Sequence, residues 1–461
     1  MSEMDQAPAT PADIPWRERV FTEWKALAIL GGPILVAQLA QMANGVIDTV
    51  MAGHVSAEDL AAVGIGSSLW VPLFLFFVGT LSVLQPIISG HRGEQATAKI
   101  MPATWQGIYI AGVSALLMIL VLINVRPILD ILRLDTHTAS IAQGYLNAVA
   151  WGAPAMLLMA ALRGLTDGLG HTRVIMVFSV LATLINLPLN YIFIYGKFGL
   201  PAMGGVGCGW ATAISIWLAF LALLAYLNWS PSYKDWHLID DWAAPRLRDL
   251  GYLLRVGIPI GFTLFVEVSM FSVIALFLAP LGPAVVAGHQ IVLNIVSLLF
   301  MLPLSLGMAL TLRVSFLVGA AQPGTARLLA RSALLLALGI ALVYAPLLLL
   351  GRELLAQLYT RDLMVQQIAV KLLFYAAIFQ IADVLQVTAI SALRGYRDTR
   401  VPMFIMLLSF WGICLPLGYI LTFTSWLGEA RGASGFWLAL IVGLAMASAL
   451  LTLRLLCLRS K

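Results

Sequence analysis

The sequence predicts an all-α polytopic membrane protein, with twelve transmembrane helices in two six-helix lobes related by a pseudo-two-fold axis along the membrane normal. Three observations predict it. Of the 461 residues, 61% are hydrophobic and only 11% charged, against roughly 45–50% and 25% in soluble domains, which leaves too few polar side chains to cover water-facing surfaces. At about 20 apolar residues per span plus a short connection, the length fits on the order of 12 spans and little else. The chain also repeats: placing Pro33 on Pro259 carries the first two spans onto the seventh and eighth without a gap. Further on, Ala161-Leu162-Arg163-Gly164 with Asp167 recurs as Ala392-Leu393-Arg394-Gly395 with Asp398. Copies of six spans share one orientation, the parallel-repeat plan that puts a transporter's binding site between its halves near mid-membrane.

Taken in order, residues 1–26 carry Glu3, Asp5, Asp13, Glu18 and Glu23 among prolines and lack an apolar signal-peptide core, so they are expected as a cytoplasmic tail. Apolar runs then place spans near 27–52, with Pro33, Asn44 and Asp48; 60–88; 105–125; 139–160; 172–195, with Pro188 between Asn186 and Asn190; and 204–228, which opens on glycines and carries Thr212. These six form the first lobe, 27–228. The longest polar connection, 229–253, holds Pro231 and Pro245 and is expected as a cytoplasmic inter-lobe loop. The second lobe, 254–457, follows with spans near 254–280, with Pro259 and Glu267; 286–311, with His289; 328–350; 371–391, with Gln380 and Asp383; 401–424, with Pro416; and 434–457. Residues 458–461 form a short cytoplasmic tail. Pro33, Pro259 and Pro416 are the expected bending points.

The charges orient this arrangement. Twenty of the 27 Lys and Arg fall on the side of the termini, while Arg126, Arg133, Lys197, Arg352, Arg361 and Arg431 fall on the other and Lys371 sits near a helix end. The positive-inside rule therefore puts both termini in the cytoplasm, and a membrane rather than nucleic acid accounts for the basic excess. Cys208, Cys414 and Cys457 form no CxxC pair and no metal spacing, and are expected as buried free thiols. Trp24, Trp105, Trp229 and Trp426, near span ends, are expected as interfacial anchors. No GxxxxGK[ST] occurs, which argues against ATP as the energy source.

The chemical signal is carboxylate. Of 22 acidic residues, Asp48, Glu267 and Asp383 fall well inside spans. A carboxylate at mid-membrane costs about 2.5–3.5 kcal/mol on insertion scales, so it marks an ion or substrate pathway or a structural interhelical hydrogen bond. No Lys or Arg is expected deep in a span to neutralise these three, which leaves protons, metal cations or cationic ligands as partners. Asn44 and Asp48 share a helix face, as do Asn186 and Asn190, and with Thr212 they offer hard oxygen ligands for Na+ or a hydrogen-bonded cage for a protonated Asp48. Gln380 lies near the face of Asp383, and with Glu267 these form a second candidate Na+ site. Burial disfavours the charged carboxylate and a bound cation restores it, so one carboxylate holds a proton, an alkali ion or an organic cation in turn; such exclusive occupancy is what antiport requires. His289, beside Gln290, is a structural histidine or a proton relay. The Met and Phe content suits a plastic apolar pocket for varied ligands.

With those residues in place, the chain resembles the multidrug and toxic compound extrusion (MATE) family, NorM-type transporters included, over about residues 25–457. The resemblance rests on Gly45-Val46-Ile47-Asp48-Thr49-Val50-Met51-Ala52-Gly53, Leu162-Arg163-Gly164 with Thr166-Asp167-Gly168, Asn186-Leu187-Pro188-Leu189-Asn190 and Gly204-Gly205-Val206-Gly207. It continues through Val266-Glu267-Val268, Ala287-Gly288-His289-Gln290, Gln380-Ile381-Ala382-Asp383 and Leu393-Arg394-Gly395-Tyr396. It implies a V-shaped two-lobed antiporter of the bacterial inner membrane, exporting amphipathic, often cationic drugs and dyes against inward Na+ or H+, with no cofactor and as a monomer. The family's first-lobe carboxylate matches Asp48 and its second-lobe acidic pair matches Glu267 and Asp383. Some relatives carry Asp where this chain has Asn190, implying weaker or proton-based binding there, and some carry Tyr where Phe379 stands.

Two other functions are weighed against this one. A lipid-linked oligosaccharide flippase on a related fold calls for intramembrane arginines to hold phosphate groups, which are scarce here. A membrane-embedded enzyme calls for a nucleophile–base or metal constellation that His289 and the cysteines do not assemble.

Overall fold

The computed structural model describes residues 16–131, 134–236, 238, 240–426 and 429–458, which are helical with no strand among them. Most of the expected N-terminal tail, with Glu3, Asp5 and Asp13, lies outside the described residues, as do Arg133, Arg459 and Lys461. Twelve helices are long and apolar enough to cross a membrane: α1 (Trp16–Gly53), α2 (Ala57–Gly93), α3 (Thr97–Ile123), α4 (Thr136–Gly168), α5 (Thr172–Tyr195), α6 (Gly205–Trp229), α7 (Leu247–Leu281), α8 (Pro283–Gly319), α9 (Pro323–Tyr359), α10 (Leu363–Gly395), α11 (Arg400–Phe423) and α12 (Ala433–Cys457). All twelve expected spans are present. Most run longer than their apolar cores, because the helices continue through polar turns at their ends.

The chain forms two compact units. The first comprises Gly32–Gly261, and the second comprises residues 16–31 with 262–458. Helices α1 and α7 are thus each divided between units, and Pro33 and Pro259 lie beside the two divisions. Each proline removes one backbone donor inside its helix and locally loosens the hydrogen-bond ladder. The third expected bend, at Pro416, follows a π-helical stretch, Leu408–Cys414, where the ladder is widened ahead of the proline.

In the first unit α4 packs closely on α2. A Cβ on Gly164 would meet Leu84 Cβ at 2.5 Å, and one on Gly168 would meet Ile88 Cβ at 2.7 Å, so small residues set the approach of the two helices. The polar connection after α6 is fastened to this unit. Tyr233 is fully buried with its ring 5.2 Å from that of His171. Gln106 Nε2 donates to the Ala244 carbonyl at 3.0 Å, the Arg246 amide donates to Gln106 Oε1 at 2.9 Å, and Tyr109 donates to the Ala243 carbonyl at 2.9 Å.

The second unit contains a charge pair that the sequence places in a tail and a loop. Helix α1 starts at Trp16 rather than near residue 27, because Glu23 and Trp24 have partners inside the unit. Glu23 accepts from Arg313 Nε at 2.8 Å and Nη2 at 2.9 Å, and Trp24 donates to Ser332 Oγ at 3.2 Å. Arg313 is 1% exposed and lies within α8, which runs on past the expected span to Gly319. Of the four expected anchors, Trp229 and Trp426 are exposed while Trp24 is tied to Ser332 and Trp105 has its indole nitrogen buried.

The internal repeat is written in the helix ends. Asp135 and Asp362 cap α4 and α10, each accepting from the amides two and three residues on. Gln95 and Ala321 adopt positive φ after α2 and α8, Gly170 and Arg397 after α4 and α10, and Gly204 and Gly432 before α6 and α12. The closing bonds match as well: His171 N to Thr166 O at 2.8 Å, and Asp398 N to Leu393 O at 3.0 Å. This register sets Gly168 on Gly395 and Asp167 on Arg394. The Ala-Leu-Arg-Gly likeness noted above therefore lies one helical turn out of structural register: its shared letters occupy different places in the two copies.

The Glu23–Arg313 pair supplies a first prediction. Glu23→Ala leaves a buried guanidinium without its carboxylate and is expected to destabilise the protein by about 3–5 kcal/mol, measured as a fall in melting temperature in detergent. Replacing both residues with leucine is expected to recover much of that loss.

Candidate functional site

Polar side chains inside an apolar bundle must satisfy one another, and in the first unit they do so around Asp48. Asp48 is 6% exposed on α1. Its Oδ1 accepts from Asn190 Nδ2 at 2.7 Å and its Oδ2 from the Thr212 hydroxyl at 3.0 Å. One turn apart on α5, Asn186 and Asn190 point the same way: Asn190 Nδ2 also donates to Asn186 Oδ1 at 2.9 Å, and Asn186 Nδ2 donates to Thr212 Oγ1 at 3.3 Å. Thr212 spends its single proton on Asp48 and receives one from Asn186. Both carboxylate oxygens of Asp48 therefore act as acceptors. Cys208 adds a weak bond to the Asp48 carbonyl at 3.7 Å.

Two acceptors at this site remain open. Asn190 Oδ1 is buried without a partner, and so is Asn44 Oδ1, one turn before Asp48 on α1. Asn44 makes no bond to the set. Asp48, Asn190 and Asn44 can thus present oxygen to a cation, and oxygen is what alkali ions take. Among the described residues no group of three or more His, Cys, Asp or Glu gathers.

The second unit holds the other two carboxylates. Asp383 is 3% exposed on α10 and its Oδ2 has no partner; Gln380, one turn earlier and fully buried, has neither amide atom bonded. Glu267 is half-buried on α7. Its charge and that of Asp383 repel one another, and Arg394 in the last turn of α10 attracts it. His289 on α8 is fully buried, and its Nδ1 lies 3.2 Å from the Trp437 indole nitrogen on α12. Since an indole only donates, Nδ1 accepts and the neutral ring carries its proton on Nε2, which has no partner. His289 is therefore a fixed donor. Gln290 is exposed and takes no part in this set. Phe379 packs edge-on between Phe271 and Trp437, with centroids 6.5 and 5.9 Å away. Phenylalanine contributes no polar atom there, where a tyrosine would add a hydroxyl.

Several participants escaped the sequence reading. Tyr145 on α4 is buried and has its hydroxyl 3.3 Å from Ser67 Oγ and 3.2 Å from Trp70 Nε1. Trp437 fixes the His289 tautomer and Cys208 touches Asp48. A polar-tipped aromatic at mid-span was the available signal for Tyr145 and Trp437, since each must find a partner there. Of the three free thiols, Cys208 and Cys414 are buried but Cys457, at the last turn of α12, is exposed, contrary to the expectation for all three.

Comparison with known proteins shows the family and the fold. The model of the MatE family matches residues 33–192 and 259–420, one match in each half and in the register of the helix ends. The chain is 44% identical over 438 residues to the multidrug resistance protein PmpM of Pseudomonas aeruginosa, covering 95% of this chain and 92% of that one. It is 43% identical over 433 residues to the probable multidrug resistance protein NorM of Idiomarina loihiensis, covering 94% of each. Among solved structures, the eukaryotic MATE transporter AtDTX14 superimposes with a TM-score of 0.87 at 20% identity, covering 96% of this chain and 97% of that one, which shows a shared fold.

Removing one donor from Asp48 tests the first set. Asn190→Leu is expected to cost about 1–3 kcal/mol, the penalty of leaving a buried carboxylate oxygen without its hydrogen bond, checked by thermal unfolding in detergent. Asn44→Leu, which breaks no bond, is expected to leave the melting temperature nearly unchanged.

Proposed function

This chain belongs to the MatE family of multidrug extrusion transporters, and from that premise we propose that it is a secondary antiporter exporting amphipathic, mostly cationic organic compounds in exchange for inward Na+ or H+. It is a multi-pass membrane transporter and not an enzyme. The observation that carries the proposal is the state of the three carboxylates well inside its helices, Asp48, Glu267 and Asp383. Asp48 is held by donors with open oxygens beside it, while Glu267 and Asp383 share one repulsive field with unbonded polar atoms around them.

Such groups bind one cation at a time. A negative carboxylate in an apolar surround attracts whichever cation reaches it, and a bound proton or Na+ removes that attraction for the next. Drug and ion therefore displace each other through linked affinities, and linkage of this kind is reciprocal. The membrane potential contributes about 2.3 kcal/mol per charge per 100 mV to inward cation movement. In this reading Asp48, with Asn186, Asn190 and Thr212, forms one cation site, and Glu267 and Asp383, with Gln380 and His289 in support, form the other. Alternating access then rocks two lobes, 27–228 and 254–457, joined by the loop 229–253. The site of action is the bacterial inner membrane, with both termini cytoplasmic and a single chain as the working unit.

Glu267→Gln and Asp383→Asn are expected to insert at normal abundance yet lose ethidium extrusion and drug resistance in a hypersensitive bacterial host. Full extrusion by both variants, at matched abundance, would contradict the proposal. Asp48→Asn keeps the shape of the first site and removes its charge. It is expected to reduce extrusion at least about tenfold, since one buried charge interaction is worth more than 1.4 kcal/mol.

A further inference from the structure

Where α9 begins and α10 and α12 finish, the second unit carries a surface cavity. Arg327 and Arg331 of α9, Tyr396 at the end of α10 and Leu455, Leu456 and Leu458 at the end of α12 line it, and no carboxylate does. The two arginines are exposed and lie one turn apart on one face of α9, where like charges repel each other. The Tyr396 hydroxyl is buried without a partner. Burial raises its pKa against the opposite pull of the two arginines, so the phenol keeps its proton and is a donor. Asp398, the acid nearest to Tyr396 in sequence, is engaged by Arg454 Nε at 2.9 Å. Further along α9, Leu335, Leu338 and Leu342 continue the face of the arginines as an exposed apolar stripe.

The first unit shows the same corner filled. In the register of the helix ends, Met101, Trp105 and Leu169 stand where the second unit has Arg327, Arg331 and Tyr396. There the connection after α6 is fastened down: Gln106 and Tyr109 of α3 bind the Ala244 and Ala243 carbonyls. The fully buried Tyr233 packs 5.2 Å from His171, beyond the end of α4, and 6.0 Å from Tyr226 of α6. An apolar corner is thus closed by the chain itself, and its basic counterpart is open among the described residues.

We propose that this basic corner binds the phosphate of an anionic phospholipid headgroup, held by the guanidiniums of Arg327 and Arg331 and the Tyr396 hydroxyl, with the acyl chains along the leucine stripe of α9. Guanidiniums stay charged and match phosphate oxygens two at a time, so charge complementarity selects the anion. The leucines select a lipid over free phosphate, because a headgroup seated here lays its tails on an apolar face. The cavity lies on the side that the excess of basic residues assigns to the cytoplasm, where basic pockets between helices take anionic headgroups. It shares no residue with the cation sites proposed above, and it stands whether or not those couple transport.

The test titrates the purified full-length protein in detergent with dioctanoyl phosphatidylglycerol, counting bound lipid by native mass spectrometry, with dioctanoyl phosphatidylcholine and inorganic phosphate in parallel. Phosphatidylglycerol is expected to half-saturate at a concentration about tenfold below phosphatidylcholine, and inorganic phosphate is expected not to displace it. Arg327→Gln with Arg331→Gln is expected to raise the phosphatidylglycerol half-saturation about tenfold. Tyr396→Phe breaks no bond present in the structure. It is expected to keep the lipid-free melting temperature and weaken phosphatidylglycerol binding about threefold. Arg246→Gln with Arg248→Gln removes the same charge at the start of α7 and is expected to leave lipid binding unchanged. Arg331→Gln alone, with Tyr396→Phe, carries the test if the double variant of the cavity does not elute as a single folded species. Unchanged binding in the folded cavity variants, an equal loss in the α7 variant, equal affinity for the two lipids, or displacement of the lipid by equimolar phosphate would overturn the inference.

Discussion

The constraint on which the structure depends is that a charge buried in an apolar bundle must be answered from within the protein. The chain meets it in three ways. Glu23 and Arg313 answer each other with a two-point pair at 2.8 and 2.9 Å, and Asp167 is answered by Arg163 and Gln85. In both an arginine forms an ion pair with the acid, although Asp167 Oδ1 is left without a partner, and both read as structure. Asp48, Glu267 and Asp383 are answered only in part, with unbonded oxygens or like charge left beside them. An ion pair with a neighbouring arginine marks the acids that hold this protein together, and Asp48, Glu267 and Asp383 form none among the described residues.

The repeated helix ends show how one scaffold was put to two uses. Cap for cap and turn for turn the halves agree, yet the side chains on that frame diverge: amide and hydroxyl donors hold one carboxylate in the first unit, and in the second an aspartate with an open oxygen lies one turn from an unbonded glutamine. The same frame places Asp167 and Arg394, opposite in sign, at one position. Backbone geometry is preserved because helix ends need particular φ values and donors. Buried charge is free to change so long as its partners change with it.

Much of this was legible in the sequence. Composition and apolar run length gave the twelve spans, since nothing else satisfies so apolar a backbone. Asp48, Asn186, Asn190 and Thr212 could be grouped because helical spacing puts i and i+4 on one face. The start of α1 was not legible, because Glu23 looks like a solvated tail residue until Arg313, far along the chain, closes on it. Nor was the register of the second repeat, where four shared letters favoured a match one turn away from the one that the helix ends impose. Arg394 was hidden for the same reason: as part of that motif it seemed the twin of Arg163. The tautomer of His289 depends on Trp437, a contact between distant spans that no local pattern announces.

The account turns on whether cations drive drug movement through these carboxylates. The most direct measurement is ethidium efflux from liposomes containing the purified protein, under an imposed inward Na+ gradient at clamped pH and membrane potential, and then under a proton gradient without Na+. The account predicts efflux under at least one of the two gradients and none when both are absent. Efflux at the same rate with no gradient, or none under either, would contradict it.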